Sequence, residues 1–156
     1  MAAGTTPLTK TLDRIHAQAA AQAGITAARA FKGYKRWTDT EDFLELVRAL
    51  TAENQGYFWV RIAGVNSEGS LQKRVWEFEA ELAVYVPKDT TTDLNSAWDF
   101  AHTLAAALED ESAYGDGEHV PRVSYALRKV DTLEKASVAL FGFGHGGLGR
   151  MQVIDP

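Results

Sequence analysis

The chain has 156 residues, of which 46% are hydrophobic and 24% are charged, with a net charge of −5 and no cysteine. This composition is typical of a folded domain and argues against a disordered, collagen-like or coiled-coil chain. The missing cysteines exclude disulfides and cysteine nucleophiles, and the negative charge argues against a protein that coats nucleic acid. We expect one domain over residues 1–156, with residues 1–7 and the glycine-rich end 142–156 as candidates for flexibility.

The sequence predicts neither a membrane-spanning segment nor a signal peptide. No apolar stretch approaches the ~20 residues that a bilayer span requires. Residues 1–7 lack the basic start and the leucine-rich stretch of a signal peptide. We therefore expect a soluble, cytosolic domain with no membrane partner.

Three amphipathic helices are predicted from apolar residues that recur every three or four positions. The first begins at the cap Thr6 and ends at Gly24, the second runs from Thr38 to Leu50, and the third follows the cap Asp93 and ends near Leu108. The apolar face of the first helix consists of Leu8, Leu12, Ile15, Ala19 and Ala23.

The strands are predicted from β-branched and aromatic runs and from strict alternation. Residues 57–65 form one strand, a turn follows at 66–69, and residues 76–86 alternate apolar and glutamate side chains before Pro87. Later strands are expected at 122–130, 137–143 and 151–154, with an irregular strand or loop at 28–37 and a loop at 109–121.

These elements predict an α+β fold, with an antiparallel or mixed sheet of about four to five strands and about three helices packed on one face. We expect the second face to be left uncovered, because no further helix remains for it. Aromatic residues on such a face indicate contact with another subunit. The candidate subunit interface consists of Tyr57, Trp59, Arg61 and Tyr85.

Glu77, Glu79 and Glu81 lie two residues apart on the alternating strand and so share one face of the sheet. In one interpretation they form a charged face with Arg61, Arg122 and Arg128 as cross-strand partners. In a second they line an acidic surface or lumen. In a third they act as paired catalytic carboxylates, which would require environments that separate their pKa values.

Residues 31–37 are rich in basic and aromatic side chains and include Lys32, Lys35 and Arg36. Such a segment could contact phosphates or stack on bases. It could equally be an edge segment whose positive charge prevents unwanted strand pairing or meets an acidic neighbouring subunit.

Residues 142–147 fit the spacing G-x-G-x-x-G, but too few residues follow for the helix and the acidic residue of a dinucleotide site. We expect a flexible turn or a bulged hairpin there. The four histidines, His16, His102, His119 and His145, fall in separate segments and predict no metal site. The sequence thus predicts no catalytic, metal-binding or cofactor-binding residue, no cofactor, and a protein that is not an enzyme.

The order of elements resembles that of the tail terminator, or tail-completion, proteins of tailed bacteriophages. The resemblance rests on the opening helix before Gly24, the strands at 58–64 and 76–88, the helix at 94–108 and the late strands. The glycine-rich residues 142–149 are not part of it.

The resemblance implies a structural virion subunit that forms a homohexameric ring on the head-proximal end of the tail tube. Such a ring stops tube polymerisation and joins the tail to the head. The implied partners are further copies of the chain, the tail tube protein, a head–tail connector or neck protein, and DNA that passes without specific binding. The implied location is the virion tail, assembled in the host cytoplasm. The alternative is a small ligand-binding or catalytic domain with a pocket between helix 94–108 and the sheet, lined by Trp98, Trp76 and Phe78.

Overall fold

The computed structural model describes residues 4–33, 50, 55–68, 73–87, 94–110, 120–133 and 136–155. Within these residues, two α-helices pack on one face of a mixed sheet of seven strands. The predicted α+β class is therefore confirmed. The predicted helix at 38–50 lies outside the described residues except for Leu50, and so do residues 111–119 of the predicted loop.

Helix α1 spans Pro7–Ala20. Thr6 caps it as predicted, because its hydroxyl accepts the backbone N–H of Thr9 while the Thr9 hydroxyl accepts that of Thr6. The helix ends at the C-cap Ala21, earlier than the predicted end at Gly24. Residues 21–26 instead form a turn in which the N–H groups of Ile25 and Thr26 both donate to the Gln22 carbonyl.

Helix α2 spans Asn95–Leu108, with Leu94 and not the predicted Asp93 at its N-cap position, and it buries an apolar stripe of Ala97, Ala101, Leu104, Ala105 and Leu108. Its small alanines allow the helix to approach the sheet closely. Trp98 is partly exposed and packs edge-on against Phe141, with ring centroids 5.0 Å apart.

The central hairpin consists of β2, Gly56–Glu68, and β3, Lys73–Pro87, which pair antiparallel along almost their whole length. One β-bulge interrupts the pairing at Ala63, between Ile62 and Gly64. Strand β1, Ala30–Lys32, follows a short 3₁₀ turn and runs parallel to β2, so the sheet is mixed.

The remaining strands are β4, Arg122–Ser124; β5, Ala126–Leu133; β6, Ala136–Phe143; and β7, Arg150–Asp155. Strands β6 and β7 both pair with the same edge of β3, one after the other, and β5 and β4 pair with them in turn. The seven strands therefore occupy five positions across the sheet. The prediction of four to five strands differs because the strand expected at 122–130 is interrupted at Tyr125 and because residues 30–32, within the segment expected as an irregular strand or loop, form β1.

The helix-covered face of the sheet is apolar, as strand alternation requires. Phe58, Val60, Trp76, Phe78, Leu82, Val84 and Val86 are buried with the apolar stripes of α1 and α2, and Ile62 packs against them. Strand alternation alone is sufficient to assign this face.

The second face also holds an apolar cluster, and the prediction that it is uncovered is wrong there. Tyr57, Trp59, Ala83, Val138, Leu140 and Leu50 are buried together, with Phe31 and Tyr85 packed against them. The same alternation that separates the faces gives this one a continuous apolar patch across β2, β3 and β6. Such a patch is too apolar to remain in water.

Candidate functional site

Glu81 is buried at the centre of the sheet. It lies on β3, the middle strand, with Trp59 of β2 opposite it on one side and Gly142 of β6 on the other. Its side chain is 0% exposed. A carboxylate in this position loses its hydration, and its charge must be balanced by protein groups.

Arg128 of β5 supplies the balancing charge, with its Nη1 2.6 Å from the Glu81 Oε2. It reaches this far because it is the extra residue of a β-bulge between Leu127 and Lys129. Bulges redirect side chains in this way. On β6, the residue opposite Glu81 is Gly142, which adds no side chain beside the carboxylate.

The glycine-rich residues 144–149 fold back over the same face as a tight turn. Gly146 and Gly147 have φ values of 61° and 77°, the left-handed conformation that a two-residue hairpin of this kind requires. The Leu148 N–H donates to the His145 carbonyl at 3.0 Å and closes the turn. Residues 142–155, named above as a candidate for flexibility, thus form the end of β6, this turn and β7.

The turn brings His145 to the buried carboxylate. The His145 Nε2 is 3.7 Å from the Glu81 Oε2, and its ring meets the Trp59 ring edge-on with centroids 5.0 Å apart. Glu81, Arg128, His145 and Trp59 therefore form one cluster, which we call the Glu81 cluster. Four separate elements contribute to it.

Burial shifts the pKa values of two groups of the Glu81 cluster in opposite directions. Burial raises the pKa of Glu81, although the hydrogen bond and positive charge of Arg128 and the indole of Trp59 oppose the shift. Burial, helped by the charge of Arg128, lowers the pKa of His145, and Glu79 opposes this. Arg128 at 2.6 Å therefore opposes the protonation of Glu81 that burial favours, and burial favours the neutral imidazole of His145. With Glu81 fully buried, the cluster fixes the turn and β5 to the sheet.

The other two predicted glutamates are closer to solvent. Glu79 pairs with Arg61 directly across the strands at 2.6 Å, and Glu77 accepts a hydrogen bond from the Gln152 amide at 3.1 Å. Two of the three predicted arginine partners are found, since Arg61 pairs with Glu79 and Arg128 with Glu81, whereas Arg122 stands opposite Gln152 and not a glutamate. Glu81 cannot line a lumen, because its side chain is buried. A cleft of about 200 Å³ opens beside Glu77 and Glu79.

The four residues of the candidate subunit interface do not share one environment. Tyr57 and Trp59 are buried within the chain, and Phe31 stacks on Tyr57 with centroids 6.2 Å apart. The expectation that these two are exposed is therefore wrong. Arg61 keeps 46% of its side chain exposed and Tyr85 is half-buried. For these two, a subunit contact stays a prediction.

The basic segment is described only at its start. The Lys32 Nζ binds the Asp13 carboxylate of α1 at 2.8 Å, which fastens β1 to the helix. That carboxylate also accepts a hydrogen bond from the Gly4 N–H. The pKa of Asp13 is lowered, and the hydrogen bond from Lys32 is the main cause. Lys35 and Arg36 lie outside the described residues.

A cleft of about 430 Å³ lies beside α2, but not where the alternative function placed it. Trp76 and Phe78 are core residues beneath the helices, and Trp98 covers Phe141. The cleft lies between α2 and the turn that follows α1, where it is lined by Gln22, Ala23, Gly24, Gln55, Asp99, Phe100, Thr103 and Leu104.

Sequence reasoning missed His145 and Gly142 as members of one site. The G-x-G-x-x-G spacing points to a dinucleotide site, whereas the more informative signal is a histidine between glycines in a short turn next to a strand. A second signal is that Glu81 is the last glutamate of the row and is followed directly by five residues without a charge, 82–86.

Wider comparisons add no assignment. In the described residues, no group of three or more metal-ligating side chains is positioned to hold an ion. No helix in the described ranges is both long and apolar enough to cross a membrane. A scan against protein-family models and a search of curated proteins find no match to this chain.

Proposed function

We propose that this protein is a structural subunit of a tailed-bacteriophage virion. In this proposal it is a tail terminator whose copies, expected to number six, form a ring on the head-proximal end of the tail tube. The ring stops tube polymerisation and joins the tail to a head or neck protein. The subunit is made in the host cytoplasm and ends in the virion.

The order of elements carries the proposal. Helix α1, the long hairpin β2–β3, helix α2 and the closing strands follow one another in the chain and build one sheet with helices on one face. These are the elements on which the resemblance to tail terminators rests. The strand at 58–64 lies within β2, and the helix at 94–108 coincides with α2 and its N-cap Leu94.

The edges of the sheet support a ring built head to tail, which needs two unlike surfaces on each subunit. Within the described residues, β1 ends the sheet on one side, with three residues fastened to α1 through Lys32. On the other side β5 carries exposed Lys129 and Val130. We place one subunit contact at this β5 edge.

The charges of the second face that reach solvent support DNA passing without specific binding. Arg61 pairs with Glu79, and Glu77 accepts a hydrogen bond from the neutral Gln152 amide, which does not offset its charge. Such a surface offers no surplus of positive charge to hold phosphates.

The proposal is tested by assembly. Light scattering and negative-stain microscopy are applied to the purified chain of 17.1 kDa, alone and mixed with the tail tube protein. We expect rings in solution or on tube ends, and tubes of limited length in the mixture. A monomer that leaves tube growth unchanged would contradict the proposal.

A further inference from the structure

The cleft beside α2 is separate from the Glu81 cluster and from the β5 edge, and the proposed function does not use it. Its volume of about 430 Å³ falls in the range of small-molecule sites. One wall is the turn after α1 with Gln22 and Gly24, the other is the outer side of α2, and Gln55 closes one end.

The wall formed by the turn is held in place before any ligand binds. The Gly24 carbonyl accepts the N–H of Gly56 at the start of β2 and the Arg29 Nη1. Thr26 closes the turn with a φ of 61°, a strained value for a β-branched residue. Strain of this kind persists where the surroundings impose it, often at ligand sites.

The lining combines one negative charge with an aromatic ring and neutral polar groups. Among the described residues that line the cleft, Asp99 is the ionisable side chain, and the Arg29 guanidinium, which binds the Gly24 carbonyl, is not one of them. Phe100 adds a ring face, and buried Leu104 adds an apolar floor. Gln22, Gln55 and Thr103 add neutral hydrogen-bonding groups.

We propose that this cleft binds a small organic cation, an ammonium group carried on a flat apolar body. The ammonium group pairs with Asp99, and the body lies against Phe100 and Leu104, where the ring also attracts the positive charge. The amides of Gln22 and Gln55 accept its remaining N–H groups. This inference does not depend on the proposed function.

The test compares phenethylamine with its neutral isostere 2-phenylethanol. Each is titrated into the ¹⁵N-labelled full chain, and binding is followed by NMR chemical shifts. We expect shifts at Gln22, Gly24, Gln55 and residues 99–104, with the amine binding about two- to fivefold more tightly than the alcohol, the range that one exposed ion pair allows.

Two variants and one control locate the effect. Asp99→Asn is expected to reduce the affinity for the amine to that for the alcohol. Phe100→Leu is expected to narrow the difference in affinity between the amine and the alcohol, because it removes the aromatic ring and keeps the cleft apolar. Asp110→Asn, which removes an exposed carboxylate just beyond α2 and outside the cleft, is expected to change nothing.

The proposal is overturned if the amine and the alcohol bind equally, if millimolar amine shifts no lining resonance, or if Asp110→Asn weakens binding as much as Asp99→Asn. Unchanged spectra of each variant outside the cleft show that the fold is intact, so a loss of binding reports on the cleft itself.

Discussion

Glu81 is the residue whose environment departs most from its sequence pattern. Three alternating glutamates look equivalent along the strand, yet only this one is fully buried. A buried carboxylate costs several kcal/mol unless a cation and hydrogen bonds compensate it, and Arg128 lies at 2.6 Å to do so. The pair is thus a requirement for keeping Glu81 where it is, and removing one partner should cost far more than removing a surface charge.

Arg128→Met tests this requirement, because methionine keeps the aliphatic length and removes the charge. We expect the free energy of unfolding at neutral pH to fall by about 3 kcal/mol, the lower end for a broken buried pair, since Arg128 is itself partly exposed. Lys129→Met, the control at the next residue, should change the free energy of unfolding by less than about 0.5 kcal/mol. Urea unfolding measures both, and equal effects would show that the pair has no special role.

The pH dependence of Glu81→Gln follows from the raised pKa of Glu81. A carboxyl with a raised folded-state pKa stabilises the fold fully below the unfolded value near 4.5, and this contribution is lost as pH rises through the folded pKa. Relative to the wild type, Glu81→Gln should therefore gain stability as pH rises from about 4.5 to neutrality. Urea unfolding across this range checks the direction. A shift in favour of the wild type would mean that the fold lowers the pKa instead.

The glycine-rich turn is the element that covers the Glu81 cluster. Gly142 lies beneath it, where a Cβ atom would stand 3.0 Å from both the His145 carbonyl oxygen and the Leu148 Cβ. Any side chain there would push the turn away from the sheet and carry His145 with it. The turn therefore packs on the sheet only because β6 has a glycine at this register position.

Gly142→Ala is expected to lower the free energy of unfolding by about 1–3 kcal/mol through overpacking. The pKa of His145, followed by its imidazole NMR signals, should rise toward its ordinary value as the ring moves into water. Gly64→Ala is the matched control, because a Cβ there meets only the Glu77 Oε2 at 4.0 Å. An unchanged His145 pKa in Gly142→Ala would contradict this role of Gly142.

The molecule as a whole is one sheet with an apolar cluster on each face and two unlike edges. Burial of Tyr57 and Trp59 moves the expected subunit contact from the second face toward the β5 edge. Exposed Val130 lies on that edge, whereas Val65, equally apolar and exposed, lies on the far part of the hairpin. The two valines can therefore separate an edge contact from a hairpin contact.

Val130→Lys should reduce the fraction of ring measured by light scattering, because it places a second positive charge beside Lys129 in the proposed contact. Val65→Lys changes the same residue type at similar exposure and should leave assembly intact. If Val65→Lys disrupts the ring and Val130→Lys does not, the contact is at the hairpin and our placement at β5 is wrong.

Much of the architecture could be predicted because it depends on local periodicity. The cap at Thr6, the apolar stripe of α2 and the helix-facing side of β2 and β3 follow from the spacing of side chains along one segment. The Arg61–Glu79 pair follows from the same alternation once two strands are adjacent. Each of these features needs only the residues of one element or of one hairpin.

The Glu81 cluster could not be predicted, because its members meet through strands that are distant in the chain. Arg128 reaches Glu81 only through a bulge in β5, and His145 does so only because Gly142 lets the turn fold back. Burial of Trp59 likewise depends on Val138 and Leu140 of β6 lying beside β3. Periodicity predicts on which face of the sheet a side chain lies. How deeply that side chain is buried, and which charged groups it meets, depend on the neighbours that the tertiary fold supplies.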